Sequence, residues 1–303
     1  STVGIFMLGA ETLDHIAIPV RNLEQAENFY LEVVGLRLLT RRKNADGSPR
    51  HTYVLAGENI IGLNLPGIQA GPSPSGAPRY AIAVDSEEKF GSVVKQIRKT
   101  GVVCSDIEEL RAGFVFVKSF RFDDPEHNHM EICLRQRGGK EIYLGHVVFE
   151  TTDLKRAIRF YTRALGLKLM GEERGETWLA LPNQQLIGLK QVAALSDRTK
   201  RHGRAVHIAF NVRQEDFDEM VALIPAMEGR SHGDFRATDG LRPPGERSLY
   251  LFDPDTNPLQ ITAPGEEDWS LMPDEEKWRR TTESRQAQGK GISRFDLGGK
   301  AAK

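Results

Sequence analysis

The sequence predicts an α+β fold in which one unit, a strand followed by a helix and three further strands, occurs four times. The first observation is an internal repeat: residues 13–38 and 144–169 align without a gap, at a constant offset of 131 positions. The second is a pair of similar turns, DDPEHN and FDPDTN, each followed by an apolar strand. Repetition of this kind indicates duplication of one supersecondary unit.

The first unit begins with a strand over Leu13–Val20, whose alternation places His15 on one face and Ile16 on the other. Asn22 can cap the following helix and Gly35 can end it. Three apolar runs predict the remaining strands: Leu36–Leu39, His51–Leu55 and Ile60–Leu65.

The second unit follows a loop rich in Pro and Gly at positions 66–78. Its helix is predicted to begin after Ser86 and to end at Gly101, where glycine can adopt the left-handed conformation. Its strands are predicted at Tyr80–Val84, Phe114–Val117 and His129–Cys133.

The third unit opens with the repeated strand and helix, and the fourth has the second DPxxN turn at Asp253–Asn257. We expect a helix near Glu215–Leu223, a loop from Gly229 to Arg247, and one tail helix near Asp274–Arg285. The remaining strands are predicted at Thr177–Leu181, Leu186–Leu189, Ala205–Val212, Ser248–Phe252 and Leu259–Thr262.

The length of 303 residues favours two domains. A charged, glycine-containing stretch at Arg135–Lys140 suggests the boundary. We therefore expect consecutive units to pair, giving a two-unit domain over residues 1–138, a second over residues 139–264, and a polar tail or arm over residues 265–303.

Composition is that of an ordinary soluble protein, with 39% hydrophobic residues and a formal net charge of -1. Neither a nucleic acid nor a membrane is an expected partner, because no basic surplus or long apolar span is present. The two cysteines, Cys104 and Cys133, are too few for a disulfide framework. These features, and an N-terminal stretch unlike a signal peptide, predict a cytoplasmic location.

One histidine recurs at the same place in the repeat. His15 aligns with His146, and both stand within otherwise apolar strands. Burying a polar side chain costs free energy unless a hydrogen bond or a metal ion compensates for lost hydration. The repeat therefore predicts a metal site or a buried hydrogen-bond network.

The four units with their two DPxxN turns resemble the vicinal oxygen chelate superfamily over roughly residues 11 to 263. The resemblance implies that paired units form curved mixed sheets around a cavity, with a metal ion held by the first and last strands. Four units in one chain look most like the type I extradiol ring-cleavage dioxygenases. That likeness implies a non-haem Fe(II) enzyme acting on a small catechol-type or enolisable oxygenated compound, and we expect a homo-oligomer.

The dioxygenase pattern places the metal ligands at His146, His207 and Gln260. Imidazole also suits zinc and manganese, so Zn(II) or Mn(II) are alternatives to Fe(II). The third position of this pattern is a carboxylate, whereas Gln260 offers a neutral carbonyl oxygen. Metal affinity should therefore be lower and the bound ion more Lewis-acidic.

The N-terminal half has a set at the matching positions, predicted to be His15, Tyr80 and Glu131. This set could form a second metal site or the only one, and the alternative is a plain hydrogen bond between His15 and Glu131. Tyr250 matches the family position that orients the substrate oxygen. A histidine expected just before it is absent, and His232, farther back in an arginine-containing loop, is the substitute that the segment offers.

A second family histidine, the acid/base near the last strand of unit three, is replaced by Asn183-Gln184-Gln185. Two alternatives to the dioxygenase hypothesis therefore stay open. One is a metal-dependent lyase or isomerase of the glyoxalase or epimerase kind, although Gly62 and Gly188 occupy places where such sites have a ligand. The other is a protein that binds a small molecule without chemistry.

Overall fold

All four units fold as predicted, with a strand, a helix and three strands. The computed structural model describes residues 8–44, 46–65, 73–135, 142–197, 206–236 and 243–269, and scattered positions between 272 and 287. Unit one contains β1 (Ala10–Pro19), α1 (Leu23–Asn28) continued by a π-helical turn (Phe29–Val34), β2 (Arg37–Lys43), β3 (Pro49–Ala56) and β4 (Asn59–Asn64). Unit two contains β5 (Arg79–Val84), α2 (Glu87–Lys99), β6 (Cys104–Glu109), β7 (Lys118–Asp123) and β8 (His129–Leu134).

The second half repeats this order. Unit three contains β9 (Ile142–Thr151), α3 (Leu154–Arg163), β10 (Lys168–Glu173), β11 (Glu176–Ala180) and β12 (Leu186–Gln191). Unit four contains β13 (His207–Val212), a 3-10 turn (Gln214–Asp216), α4 (Phe217–Ala226), β14 (Arg230–Arg236), β15 (Arg247–Phe252) and β16 (Pro258–Ala263).

Local signals in the sequence set the helix ends. The side chains of Asn22, Ser86 and Asp153 accept hydrogen bonds from backbone N–H groups in the first turns of α1, α2 and α3. Gly35 ends the first helix with φ of 83°, a left-handed conformation that glycine adopts without a steric cost.

The strands form two sheets of eight, and the predicted α+β fold is confirmed. The first sheet, with the order β14-β15-β16-β13-β1-β4-β3-β2, joins unit one to unit four, and the second, with the order β10-β11-β12-β9-β5-β8-β7-β6, joins unit two to unit three. The expectation that consecutive units share a sheet is therefore wrong. The expected boundary at 136–140 lies outside the described residues.

Consecutive units contact each other in another way, through their DPxxN turns. The Tyr30 hydroxyl, at the end of the first helix, donates to Asp124 in the turn of unit two at 2.6 Å. The Tyr161 hydroxyl of α3 donates to Asp253 in the turn of unit four at 2.9 Å. The edge of β1 pairs instead with β13, which comes from the far end of the chain.

Three edge strands, β6, β10 and β14, were missed and one strand was misplaced. β6 and β14 read CSDIEE and RSHGDFR, without the apolar alternation from which a strand is recognised. The expected loop at 229–247 thus contains a strand. The apolar run Phe114–Val117 precedes β7 instead of forming it, and Phe116 packs against the imidazole of His146.

Helices cover the outer face of each sheet, and the inner faces carry the polar residues. Ile16 and Ile18 of β1 pack in the apolar core with Tyr30, as the alternation around His15 predicted. No helix in the described part of the chain is long and apolar enough to span a membrane.

Candidate metal centre

The inner face of the first sheet brings together one histidine from each end of the chain. His15 on β1 lies opposite Ala209 on β13, and His207 on β13 lies opposite Ala17 on β1. In-register partners of a sheet point to the same side, so both imidazoles stand on one face. Gln260 on β16 also lies beside Ala209, on that same face.

The two imidazoles face each other. Nε2 of His15 lies 2.9 Å from Nε2 of His207, and Nδ1 of His15 lies 2.5 Å from a carboxylate oxygen of Asp14. The Asp14 carboxylate holds the proton on Nδ1 of His15, which leaves its Nε2 lone pair directed at His207. A carboxylate behind a histidine in this way is the usual support of a metal-binding imidazole.

The third member of the set is Gln260, which is fully buried. Its Nε2 atom donates to the hydroxyls of Ser248 and Thr262, at 3.0 Å for Thr262. These bonds fix the amide with its carbonyl oxygen turned away from both hydroxyls, and among the described residues this buried oxygen has no hydrogen-bond partner. An unpaired buried acceptor is costly unless a ligand compensates for it.

These three residues fit a metal ion. Metal–imidazole bonds are about 2.0–2.1 Å long, so two ligands at a right angle would have nitrogens about 3 Å apart. The observed separation of 2.9 Å between His15 and His207 meets this requirement. Within the described residues no three His, Cys, Asp or Glu side chains are gathered around a common position, so the candidate for a third ligand on this face is the Gln260 amide.

Strand β4 lies beside β1 and contributes no fourth ligand, because the residue that it places next to Ala17 is a glycine. Gly62 occupies that place beside Ala17, and a Cβ atom there would lie 3.1 Å from the ring of Tyr53 and from Oδ1 of Asn64. Tyr53 on β3 pairs with Gly62 and covers it. The site therefore provides three protein ligands at most from these strands.

Aromatic and basic side chains share the inner face of the first sheet with the histidine pair. The ring of Tyr250 lies edge to face with that of His207, with centroids 5.1 Å apart, and Tyr250 pairs with Gln260 across β15 and β16. His51 stands on the same inner face, and its burial, with the nearby Arg50 and Arg42 guanidiniums, lowers its pKa to about 4. His51 is thus a neutral imidazole at pH 7, and sequence reasoning had missed it.

The expected ligand set is partly wrong. His207 and Gln260 do lie on one face, but His146 belongs to the other sheet, where it contacts Glu131, and His15 takes its place beside His207. The expected bond between His15 and Glu131 is likewise excluded by the sheets. The backbone of His232 lies on the edge strand β14, and its side chain lies outside the described residues.

The second sheet repeats the arrangement with different chemistry. His146 on β9 lies opposite Ala81 on β5, and Glu131 on β8 also lies beside Ala81. The residue equivalent to His207 is therefore Arg79, two positions before Ala81, and the assignment of Tyr80 to this place is wrong. Tyr80 points to the opposite face, where it packs in the apolar core.

Arg79 binds two carboxylates. Its Nε donates to Glu131 at 2.7 Å, and one terminal nitrogen donates to both oxygens of Glu176, at 2.8 and 2.9 Å. Nε2 of His146 donates to Glu131 at 3.1 Å. Burial opposes ionisation of Glu131, but the guanidiniums and the imidazole outweigh it and hold the pKa of that carboxyl well below its usual range. Burial also lowers the pKa of His146, which is therefore neutral.

The fold and the paired inner faces define a protein of the vicinal oxygen chelate class. Residues 12–132 match the model of the Glyoxalase/Bleomycin resistance protein/Dioxygenase superfamily, and residues 146–262 match that of a glyoxalase-like domain. The chain therefore belongs to this superfamily, as its repeats had suggested.

Two Arabidopsis thaliana proteins are similar in sequence. A lactoylglutathione lyase is 27% identical over 165 residues, which is 52% of this chain and 55% of the relative. A candidate chloroplastic lactoylglutathione lyase is 27% identical over 161 residues, or 52% of this chain and 44% of the relative. The matched region thus spans about half the length of these relatives.

Solved structures are similar over most of the chain. A candidate dioxygenase of Bacillus subtilis has a TM-score of 0.67 at 19% identity, covering 92% of this chain and 97% of its own. Glyoxalase I of Zea mays has a TM-score of 0.59 at 18% identity, covering 84% and 92%. At sequence identities this low, the structural similarity establishes a common fold and nothing about activity.

Proposed function

We propose that this protein is a metal-dependent enzyme with one centre, held by His15, His207 and Gln260, acting on a small substrate that offers two neighbouring oxygen atoms. The observation that carries the proposal is the 2.9 Å separation of the two Nε2 atoms beside the unpaired Gln260 carbonyl. The ion, most readily Fe(II), with Mn(II) or Zn(II) as alternatives, would supply Lewis acidity that lowers the pKa of a bound hydroxyl or enol.

Three ligands favour oxygen-dependent ring cleavage of the extradiol kind. Two imidazoles and one amide would hold an ion and leave coordination positions for other molecules, as in the facial-triad oxygenases, which have a carboxylate in place of the amide. Gly62 and its covering ring of Tyr53 keep a fourth side chain away. The substrate class is then a small catechol-type or enolisable compound.

The surrounding residues bind and orient such a substrate. The phenol of Tyr250, beside His207, can donate to a substrate oxygen. The imidazole of His51 lies farther along the same face, and its pKa of about 4 makes it a weak base that does not replace the missing family histidines. The ring of Tyr53, with the Arg42 guanidinium 5.0 Å from its centre, offers an aromatic wall.

A second function has its own support. The sequence relatives are lactoylglutathione lyases, which favours a metal-dependent lyase or isomerase. Reactions of that kind need a base next to a substrate carbon, and the place of a ligand carboxylate is held here by the Gln260 amide, which cannot accept a proton at neutral pH.

Metal content tests the site itself. The purified chain, prepared without oxygen and loaded with Fe(II), should retain one ion by elemental analysis, and the His15→Ala and His207→Ala variants should lose it. The matched variant His146→Gln, in the second sheet, should keep it. Loss on replacing His146 together with retention on replacing His15 would overturn this assignment.

Activity distinguishes the two functions. Consumption of oxygen with a panel of catechols should appear in the Fe(II) protein and vanish in His207→Ala. Formation or breakdown of lactoylglutathione by the Zn(II) protein, without oxygen uptake, would favour the lyase. Binding of an aromatic ligand by a metal-free protein without turnover of either kind would contradict both and indicate a binding protein.

A further inference from the structure

The inner face of the second sheet has the framework of a metal centre but an arginine in one ligand position. In the first sheet, His207 stands two residues before Ala209, which lies between His15 and Gln260. In the second, Arg79 stands two residues before Ala81, which lies between His146 and Glu131. The two sets therefore occupy the same register positions.

The chemistry of the two sets differs in charge. The first set, His15, His207 and Gln260, contains no carboxylate, whereas the second face has two buried carboxylates, Glu131 and Glu176. Two anions in a buried place need a cation, and a metal ion is one way to supply it.

Here a side chain supplies that charge. The Arg79 guanidinium contacts both carboxylates at 2.7–2.9 Å, and the oxygen of Glu131 that it binds is the one that accepts from His146. Arg174 adds a second cation, 3.2 Å from the other Glu131 oxygen. Arg121, which pairs with Glu131 across β7 and β8, adds a third guanidinium. A divalent ion would therefore bring excess positive charge, and all four carboxylate oxygens already accept hydrogen bonds.

Strand β12 also offers no space for a further ligand side chain. Gly188 holds the place equivalent to Gly62, and a Cβ atom there would lie 2.9 Å from the ring of Trp178. That ring in turn packs edge to face on His146, with centroids 4.9 Å apart. The imidazole of His146 is thereby fixed to donate to Glu131.

We propose that Arg79 is the resident cation of the second inner face, standing where a metal ion would bind, so that the chain holds a metal on its first face alone. The second face is then a centre in which an internal ion pair replaces the metal, and one substitution should restore metal binding. Replacing Arg79 with histidine would remove the guanidinium and place an imidazole beside His146, Glu131 and Glu176.

The experiment compares metal stoichiometry in three full-length chains, using Zn²⁺ titrated into metal-free protein by calorimetry, with Co²⁺ absorption as a second readout. Arg79→His should bind one ion more than the unaltered chain. Arg79→Lys, which keeps the charge and adds no ligand, should bind the same number as the unaltered chain. A folded Arg79→His chain without the additional ion would overturn the proposal.

Two further measurements keep the outcomes separate. If Arg79→His does not fold, as judged by circular dichroism, the unaltered chain still decides: two bound ions, one of them lost in His146→Gln, would refute the resident-cation role. If the unaltered chain binds no ion, the proposed function fails. An ion gained by Arg79→His would still support the inference drawn for Arg79.

Discussion

The Nε2 atoms of His15 and His207 lie 2.9 Å apart although 192 positions separate the two residues in the chain. This contact exists because the first strand of unit one pairs with the first strand of unit four. A site built by the two ends of the chain can form only after both ends have folded onto one sheet. The contact and the unpaired Gln260 carbonyl are the basis of the first prediction.

Replacing Gln260 with glutamate should tighten metal binding at least tenfold, about 1.4 kcal/mol. A carboxylate neutralises one unit of the ion's charge, which an amide oxygen does not. The neighbouring hydroxyls of Ser248 and Thr262 can rotate to donate to the new carboxylate, as they now accept from the amide. Competition with a chelator measures the change, and unchanged or weaker binding would contradict the ligand role of Gln260.

Replacing Asp14 with asparagine should weaken metal binding roughly 10- to 100-fold, the usual effect of removing a carboxylate behind a ligating histidine. The Asp14 carboxylate lies 2.5 Å from Nδ1 of His15 and sets which nitrogen carries the proton. The same chelator assay applies, with the exposed Asp106→Asn variant as the control for surface charge. Equal affinities in the two variants would remove Asp14 from the site.

The fold follows from the sequence to the level of the unit. The repeat and the two turns locate four units, and the alternation around His15 identifies the inward face. The pairing of units does not follow, because all four copies present a similar first strand whose edge needs a partner. The choice depends on contacts between distant segments, such as Gln185, which accepts from the backbone of Leu13 and donates to that of Leu144.

The types of residue in the candidate site could be predicted from the sequence, but not which individual residues come together. His15 and His146 are equivalent in the repeat, so sequence alone cannot say which of them meets His207. The role of Arg79 had a signal that was missed: aligning RYAIAV with HIAFNV by their shared third residue places Arg79, and not Tyr80, on His207. A shift of one residue exchanges the two faces of a strand, and this produced the error.

The Glu150 carboxylate should make stability depend on pH in acid. Burial opposes its ionisation, but hydrogen bonds from the hydroxyls of Ser196, Ser75 and Ser73 and from the Ser196 N–H outweigh this and lower its pKa to about 2. A depressed carboxyl pKa stabilises the folded state above pH 4.5, and this contribution is lost as the pH falls toward 2.

Glu150→Gln should therefore cost about 3 kcal/mol of unfolding free energy at pH 7 and about half that near pH 3. Urea unfolding at several pH values measures the difference between the two chains, with the exposed Glu24→Gln variant as the control. A cost that does not change between pH 7 and pH 3 would show that the ionised form of Glu150 has no part in stability.

Tyr250 provides the last prediction, which separates substrate binding from metal binding. Tyr250→Phe keeps the ring that packs on His207, with centroids 5.1 Å apart, and removes only the hydroxyl. If that hydroxyl donates to a charged substrate oxygen, kcat/KM should fall about 10- to 150-fold, which corresponds to a loss of roughly 1.5–3 kcal/mol of transition-state stabilisation. Metal content should stay at the level of the unaltered chain, because the imidazoles and the Gln260 amide are untouched. A loss of metal would assign Tyr250 to the support of His207, and an unchanged kcat/KM would place the substrate elsewhere on the inner face.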